Sequence, residues 1–312
     1  MPSTEPTPAD LRNPVRRYVL ATRPPFLSVT LFACLIGLGS AQASGVPIVW
    51  STALATIWLA LLTHAGVNVL NDYYDALNGS DAINTDRVFP FTGGSRFIQN
   101  GVLSIAATAR FGVVLLMLVV IAGLWLASRS GLGLLTIGVA GLVIGWAYSA
   151  PPLKLNSRGL GELAVAAGFT LIALGSDYVQ RHAFALAPLI AAGSYALLVT
   201  NILYLNQFPD RAADAAAGKR HWVVRLAPQQ ARWGYVVIGV AAYGWLIGAV
   251  LAGLLPARAL LALLAALPSA LAARELLRHA AQPQALAPAI RKTIAAATLH
   301  GVLLAGALFS HG

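Results

Sequence analysis

The sequence predicts an all-α, polytopic membrane protein built as a nine-transmembrane-helix bundle. Three observations carry that expectation. The 312 residues are 58% hydrophobic and only 10% charged, against roughly 25% charged in an average soluble domain. Apolar runs of about 20 residues, enough to cross a hydrocarbon core of roughly 30 Å, recur along the chain. The Lys and Arg residues fall on alternate loops between those runs, and positive loops are retained on the cytoplasmic side.

Residues 1–25 form a Pro-rich polar leader, expected to be disordered up to the basic "RRYVLATR" at 16–23 and to lie in the cytoplasm. Residues 26–312 then form one membrane domain. Its nine runs lie near 26–44, 48–70, 108–128, 131–149, 160–178, 184–206, 232–254, 256–274 and 290–309. The first ends in Ala41-Gln42-Ala43, a small-x-small pattern like a signal-peptidase site, but the leader is too long and too polar for a signal peptide and the run is kept as a span. With the N-terminus cytoplasmic, the inner segments hold 18 of the 21 Lys and Arg, and the outer loops only Arg129, Arg181 and Arg258. An even number of spans would scramble that bias. The formal charge of +10 is therefore a topology signal. The expected partner is a lipid bilayer and not nucleic acid, because no basic face is interleaved with a soluble fold. Cys34, the only cysteine, has no internal disulfide partner and reads as packing.

The eleven acids are not scattered. Asp72, Asp75, Asp81 and Asp86 cluster after the second run, in "NVLNDYYDALNGSD" and the residues beyond it, and Asp210 and Asp214 follow the sixth, in "NQFPDRAAD". At about 100° per residue, Asn68, Asn71, Asp72 and Asp75 share one helical face, and Asn206, Asp210 and Asp214 share another. Carboxylates this close repel unless a cation lies among them. Their hard oxygens suit Mg²⁺, which keeps several waters and completes its shell with phosphate oxygens. Asp72, Asp75, Asp210 and Asp214, with Asn68 beside them, are the candidate metal ligands. Arg87, Arg96, Lys154, Arg158, Lys219 and Arg220, all near in sequence, are candidates for the remaining oxygens of a pyrophosphate.

"NDYYDALNGSD" and "NQFPDRAADAAAGKR" resemble the two Asp-rich motifs of the UbiA superfamily of intramembrane prenyltransferases, and the resemblance covers nearly the whole chain. It implies a central cavity open at the cytoplasmic end, a prenyl diphosphate held through two Mg²⁺ ions, ionisation to an allylic cation, and capture by an aromatic acceptor. Asn68, Asn71, Asp72 and Asp75 match the first motif. Asn206, Asp210 and Asp214 match the second. The first motif commonly ends in Asp where this chain has Gly79, with the next acid at Asp81. That "GSD" ending and "FTGGSRFIQNG" resemble the branch that prenylates 1,4-dihydroxy-2-naphthoate for menaquinone, with loss of the acceptor's carboxylate as carbon dioxide. The same resemblance implies a bacterial inner membrane, and "YSAPPLKLNSRGLGE" resembles the inner loop that brings a tyrosine and a basic residue to the diphosphate. Tyr148, Lys154 and Arg158 are its candidates here, although Pro152 stands where the family often has Lys and the segment is equally a simple loop turn. Asp81 joins them as a substrate-binding candidate.

Other readings stay open at this level. The acceptor can instead be 4-hydroxybenzoate, a glycerol phosphate or a tetrapyrrole, or the enzyme a prenyl diphosphate cyclase. An ion-coupled transporter is the alternative outside the enzymes, though both acid clusters lie at one face rather than at the midplane. Trp58, Tyr73, Tyr74, Trp146 and Tyr148 either pack or stabilise a cation. His64, one turn before Asn68, is a structural histidine, a contact for the acceptor or a base. "FTGGSR" lacks a Walker A ending and reads as a flexible cap, with Arg96 and Gln99 reaching inward. Glu162 orients a loop arginine or sits at a helix start, where a carboxylate favours the dipole.

Overall fold

The computed structural model describes residues 4–310. All the regular structure in that range is helical. The elements are α1 (Pro14–Ala21), α2 (Pro24–Ala43), α3 (Trp50–Asn78), α4 (Ser80–Ile83), α5 (Ile105–Ser130), α6 (Gly133–Ser149), α7 (Gly161–Arg181), α8 (Ala187–Ala216), α9 (Trp222–Arg225), α10 (Pro228–Leu251), α11 (Ala266–His279) and α12 (Ala287–Phe309). A 3-10 segment, Ala257–Ala265, runs straight into α11. Among the described residues eight helices are long and apolar enough to cross a membrane, and α6, at 17 residues, is a shorter apolar helix. The nine expected runs therefore correspond to eight helices of membrane-crossing length and one shorter apolar helix, so a count of nine spans is not shown.

The bundle is organised around α8, which packs against α2, α7, α10 and α12, while α3 runs along α5. Its core is small-residue rich: Ala33, Ala173, Ala192, Ala242 and Ala297 are fully buried beside Ile36, Leu198 and Leu304. Small side chains let helices approach closely where lipid gives no hydrophobic drive between them. Large apolar side chains point outward from α5 and α10, among them Val114, Ile121, Trp125, Val237 and Val240. Such a surface fits contact with the apolar interior of a bilayer.

Local signals set the ends of the elements. Asn13 caps α1 through Arg16 N, and Ser104 caps α5 through Ala107 N. Two helices outrun their apolar sequences: α3 and α8 continue as helix through both acid motifs. Gly79 then stops α3 in the left-handed region at φ +81°, its N–H bonded to Asp75 O. That reversal turns the chain back, and Asp81 returns beside the acids of α3.

The leader departs from the sequence expectation of disorder. Glu5 pairs with Arg87 at 2.6 Å and accepts from Asn100, and Leu11 is buried with Ala21, Phe97, Val102 and Leu103. A carboxylate that meets two guanidiniums, together with one buried leucine, is enough to dock a short polar segment. At the far end of α7, Asp177 is fully buried and held by Arg181 through both carboxylate oxygens, at 2.6 and 2.8 Å.

Candidate active site

A cavity of about 560 Å³ reaches from the end where α3 and α8 carry their acids up between α3, α5, α6 and α7. Its deep walls are apolar: Leu124, Leu135, Val139, Leu171 and Ile172, with Gly123, Gly138, Gly141 and Gly168. At those four glycines a Cβ would meet no atom within 4 Å. Their lack of a side chain is therefore not demanded by packing and leaves the channel wide.

The mouth is polar, and the two motifs meet there although more than a hundred residues separate them. Lys219 Nζ lies 2.9 Å from Asp75 Oδ1 and 2.9 Å from Asp214 Oδ1, one carboxylate from each motif. Asn84 donates to Asp210 Oδ1 at 2.6 Å. Gly93 N donates to Asp210 Oδ2 at 3.4 Å and Ser95 N to Asp72 Oδ1 at 3.2 Å, so the "FTGGSR" loop lies across both motifs. Gly94 is required at that crossing. Its φ is +72°, and a Cβ would stand 2.2 Å from Asp81 Oδ2 and 3.2 Å from Asp72 Oδ1. Asn71 donates to Asp75 at 3.1 Å and to Ser149 at 2.9 Å, and Asn68 donates to Thr22 O at 3.2 Å.

The electrostatics follow from this crowding. Burial, then the charges of Asp75 and Asp72, push the Asp81 carboxyl up to about 8. Burial alone would lower the Lys219 ammonium, but Asp75 and Asp214 outweigh it and hold its pKa above the usual lysine range. His221 pairs with the other oxygen of Asp214 at 3.0 Å.

Of the sequence candidates, Asn68, Asn71, Asp75, Asp81, Tyr148, Asn206, Asp210, Asp214 and Lys219 line the cavity. Asp72 is buried at its edge under Ser95. The remaining basic candidates lie outside the wall. Arg87 and Arg96 turn to Glu5, and Arg96 also bonds the Asp81 carbonyl, so Arg96 braces the loop instead of reaching inward. Lys154, Arg158 and Arg220 are exposed; Arg158 bonds Pro152 O. Trp58 and Trp146 face outward, and Tyr73 and Tyr74 pack on each other. His64 lines the cavity and shares a 2.7 Å hydrogen bond with Thr30. Sequence reasoning missed Arg23, Asn84 and His221, all in the wall. Arg23 had a signal in its neighbours: it precedes Pro24-Pro25 at the opening of a span, where its guanidinium lies over Phe26 and bonds Phe91 O.

The donor set fits a hard divalent cation shared with a ligand. No three acidic, histidine or cysteine side chains among the described residues are close enough to chelate an ion alone. Mg²⁺ does not ask for that: it takes one or two carboxylates and fills its shell with water and phosphate oxygens. Asp81 Oδ2, Asn84 Oδ1 and Asn206 Oδ1 are buried acceptors with no donor, and Lys219 already places one positive charge between the motifs. Asp72, Asp75, Asp210 and Asp214 outnumber that single ammonium, and the excess of carboxylates suits a divalent cation.

The sequence is 29% identical to the 1,4-dihydroxy-2-naphthoate octaprenyltransferase of Mycobacterium leprae over 94% of this chain and 96% of that protein. It is 31% identical to the enzyme of the same name from Mycobacterium tuberculosis, with the same coverage of each chain. The fold matches a UbiA homologue from Archaeoglobus fulgidus bound to GPP and Mg²⁺, at TM-score 0.63 and 14% identity, over 94% of this chain and 99% of that one. Residues 30–295 match the UbiA prenyltransferase family. With two Asp-bearing helices converging at the mouth of an apolar channel, and that match spanning most of its length, the chain belongs to the UbiA prenyltransferase family.

Proposed function

We propose that the protein transfers a polyprenyl group from a prenyl diphosphate to 1,4-dihydroxy-2-naphthoate, using Mg²⁺, with its acid end facing the cytoplasm of a bacterial inner membrane. The observation that carries the reading is the meeting of α3 and α8: Asp75 and Asp214 within 2.9 Å of one ammonium, at the mouth of a channel able to take an isoprenoid tail. The names of the relatives support the naphthoate acceptor, and the bias of basic residues toward one set of loops supports the orientation.

Asp72 and Asp75 on one side and Asp210 and Asp214 on the other would hold the ions, with Asn68 alongside. When bound, Mg²⁺ offsets the charge that develops on the diphosphate as its C–O bond breaks. Lys219 adds a donor to the departing oxygens. The apolar walls keep water from the allylic cation, which water would quench. Phe26, Phe91, Phe169 and Tyr148 supply aromatic surface on the same wall. The acceptor's ring carbon takes the prenyl group and releases its carboxylate as carbon dioxide.

The test is purified protein in detergent with Mg²⁺, prenyl diphosphates of graded length and a panel of 1,4-dihydroxy-2-naphthoate, 4-hydroxybenzoate and glycerol phosphate, with products identified by mass. The naphthoate should be prenylated with release of one diphosphate and one carbon dioxide. Product from 4-hydroxybenzoate alone would replace the acceptor, and no diphosphate release from any pair would refute the transferase.

A further inference from the structure

Above the acid mouth the cavity has a second polar corner, where the start of α7 meets the middle of α8. Gln207 lines the cavity and is 7% exposed, and its Nε2 donates to Glu162 Oε1 at 3.0 Å. The opposite amide orientation would set an oxygen against a carboxylate, so the contact fixes which way the amide faces. Two acceptors are then left over. Glu162 Oε2 and Gln207 Oε1 are both buried without a donor, a condition folded proteins rarely leave unmet. Tyr148 and Asn156 line the same wall. A Cβ on Gly161, the neighbour of Glu162, would lie 3.7 Å from the Tyr148 ring and 3.2 Å from Asn156 Cα.

We propose that Gln207 Oε1, its amide oriented by Glu162, accepts a hydrogen bond from a phenolic hydroxyl of the aromatic acceptor and so sets acceptor specificity. The proposal rests on the transferase reading above. It follows from what each ligand can donate. A diphosphate and an isoprenoid tail bring no donor, and neither does the quinone form of the acceptor. A hydroxylated ring brings one or two O–H groups, which suit the unmet carboxamide oxygen of Gln207, while Tyr148 and Asn156 on the same wall also offer donors. Position agrees with chemistry. Gln207 lies three residues before Asp210 and seven before Asp214, on the same face of α8, which places it about 4.5 Å and about 10.5 Å along the axis from them. A ring held there lies next to the carbon that bears the diphosphate rather than beside the diphosphate itself. The acceptor's own carboxylate is repelled by Glu162 and must face a cation; Arg23 and Lys219 are the arginine and the lysine of the cavity wall.

The test compares wild type with Glu162→Gln and Gln207→Leu, using 1,4-dihydroxy-2-naphthoate and its monomethyl ethers as acceptors. In each variant the KM for the acceptor should rise about tenfold or more, the scale of one lost hydrogen bond in a site built to make it, while the KM for the prenyl diphosphate stays within about twofold. Wild type should discriminate against at least one methyl ether, and the variants should lose that discrimination. An unchanged diphosphate KM also shows that the variants fold. The proposal is overturned if acceptor KM is unchanged, if both KM values move together, or if only kcat falls. Wild type that prenylates no hydroxylated acceptor would overturn the transferase reading itself. Wild type that prenylates only a different phenol would remove the naphthoate, and the same comparison then runs on that phenol.

Discussion

Lys219→Met tests the electrostatic heart of the site. The Lys219 ammonium, 8% exposed, lies 2.9 Å from a carboxylate of each motif. At an effective dielectric constant of about 20, each contact is worth about 6 kcal/mol of attraction before desolvation. Removing one partner of a buried ion pair costs roughly 3–5 kcal/mol net, because the opposite charge stays behind unpaired. Taking about 3 kcal/mol, and about 2 °C per kcal/mol for a chain of this size, the variant should melt about 6 °C below wild type in chelator at about pH 8, where ordinary carboxylates are ionised. The deficit should then depend on the divalent ion. Millimolar Mg²⁺ without any diphosphate should recover most of it in the variant and shift wild type little, since in wild type the ion must first displace the lysine. The assay is thermal aggregation in detergent across an Mg²⁺ titration. If variant and wild type melt together in chelator, or respond alike to Mg²⁺, the lysine does not neutralise these carboxylates and the account of the mouth is wrong.

Three further outcomes follow from the same geometry. Asp210→Asn should lower turnover by roughly 10²–10³-fold, as expected when a group that stabilises departing charge is removed, with the melting temperature retained; wild-type rates would take Asp210 out of the mechanism. Gly141→Leu meets no atom within 4 Å at its Cβ and fills the channel with a side chain close in bulk to one isoprene unit, so the fold should persist while the preferred diphosphate becomes shorter, read as product mass. Burial beside Asp75 and Asp72 raises the Asp81 carboxyl to about 8, so the fold favours its protonated form. That contribution is complete below the unfolded value near pH 4 and is lost as pH rises through about 8. Chelated wild type should therefore melt progressively lower from about pH 5 to about pH 9, and Asp81→Asn should flatten that slope.

Much of this was legible in the sequence, for identifiable reasons. Apolar length and the bias of Lys and Arg depend on lipid rather than on tertiary detail, so the runs at 26–44 and 290–309 appear as Pro24–Ala43 and the helix ending at Phe309. The Asp and Asn stripes were legible because helical phase is local: once α3 and α8 continue through their motifs, the spacing alone aligns the side chains. The arginines were less legible. Nearness in sequence stood in for nearness in space, but Arg87 and Arg96 are drawn off by Glu5, more than eighty residues away. Asn84 reaches Asp210 across 126 residues, a pairing no local pattern encodes. Glu162 and Gln207 likewise meet only because α7 and α8 pack side by side.

The loop over the mouth has a consequence for how the protein would cycle. Its amides at Gly93 and Ser95 take one oxygen each of Asp210 and Asp72, one carboxylate from each helix, and on the proposed function bound ions would draw on those same carboxylates. On that proposal, holding the loop down and gripping a charged guest share a pair of carboxylates, so seating the guest should loosen these two amide contacts. Deuterium uptake at those two peptide groups should then rise once the guest is seated, and unchanged uptake would refute the competition.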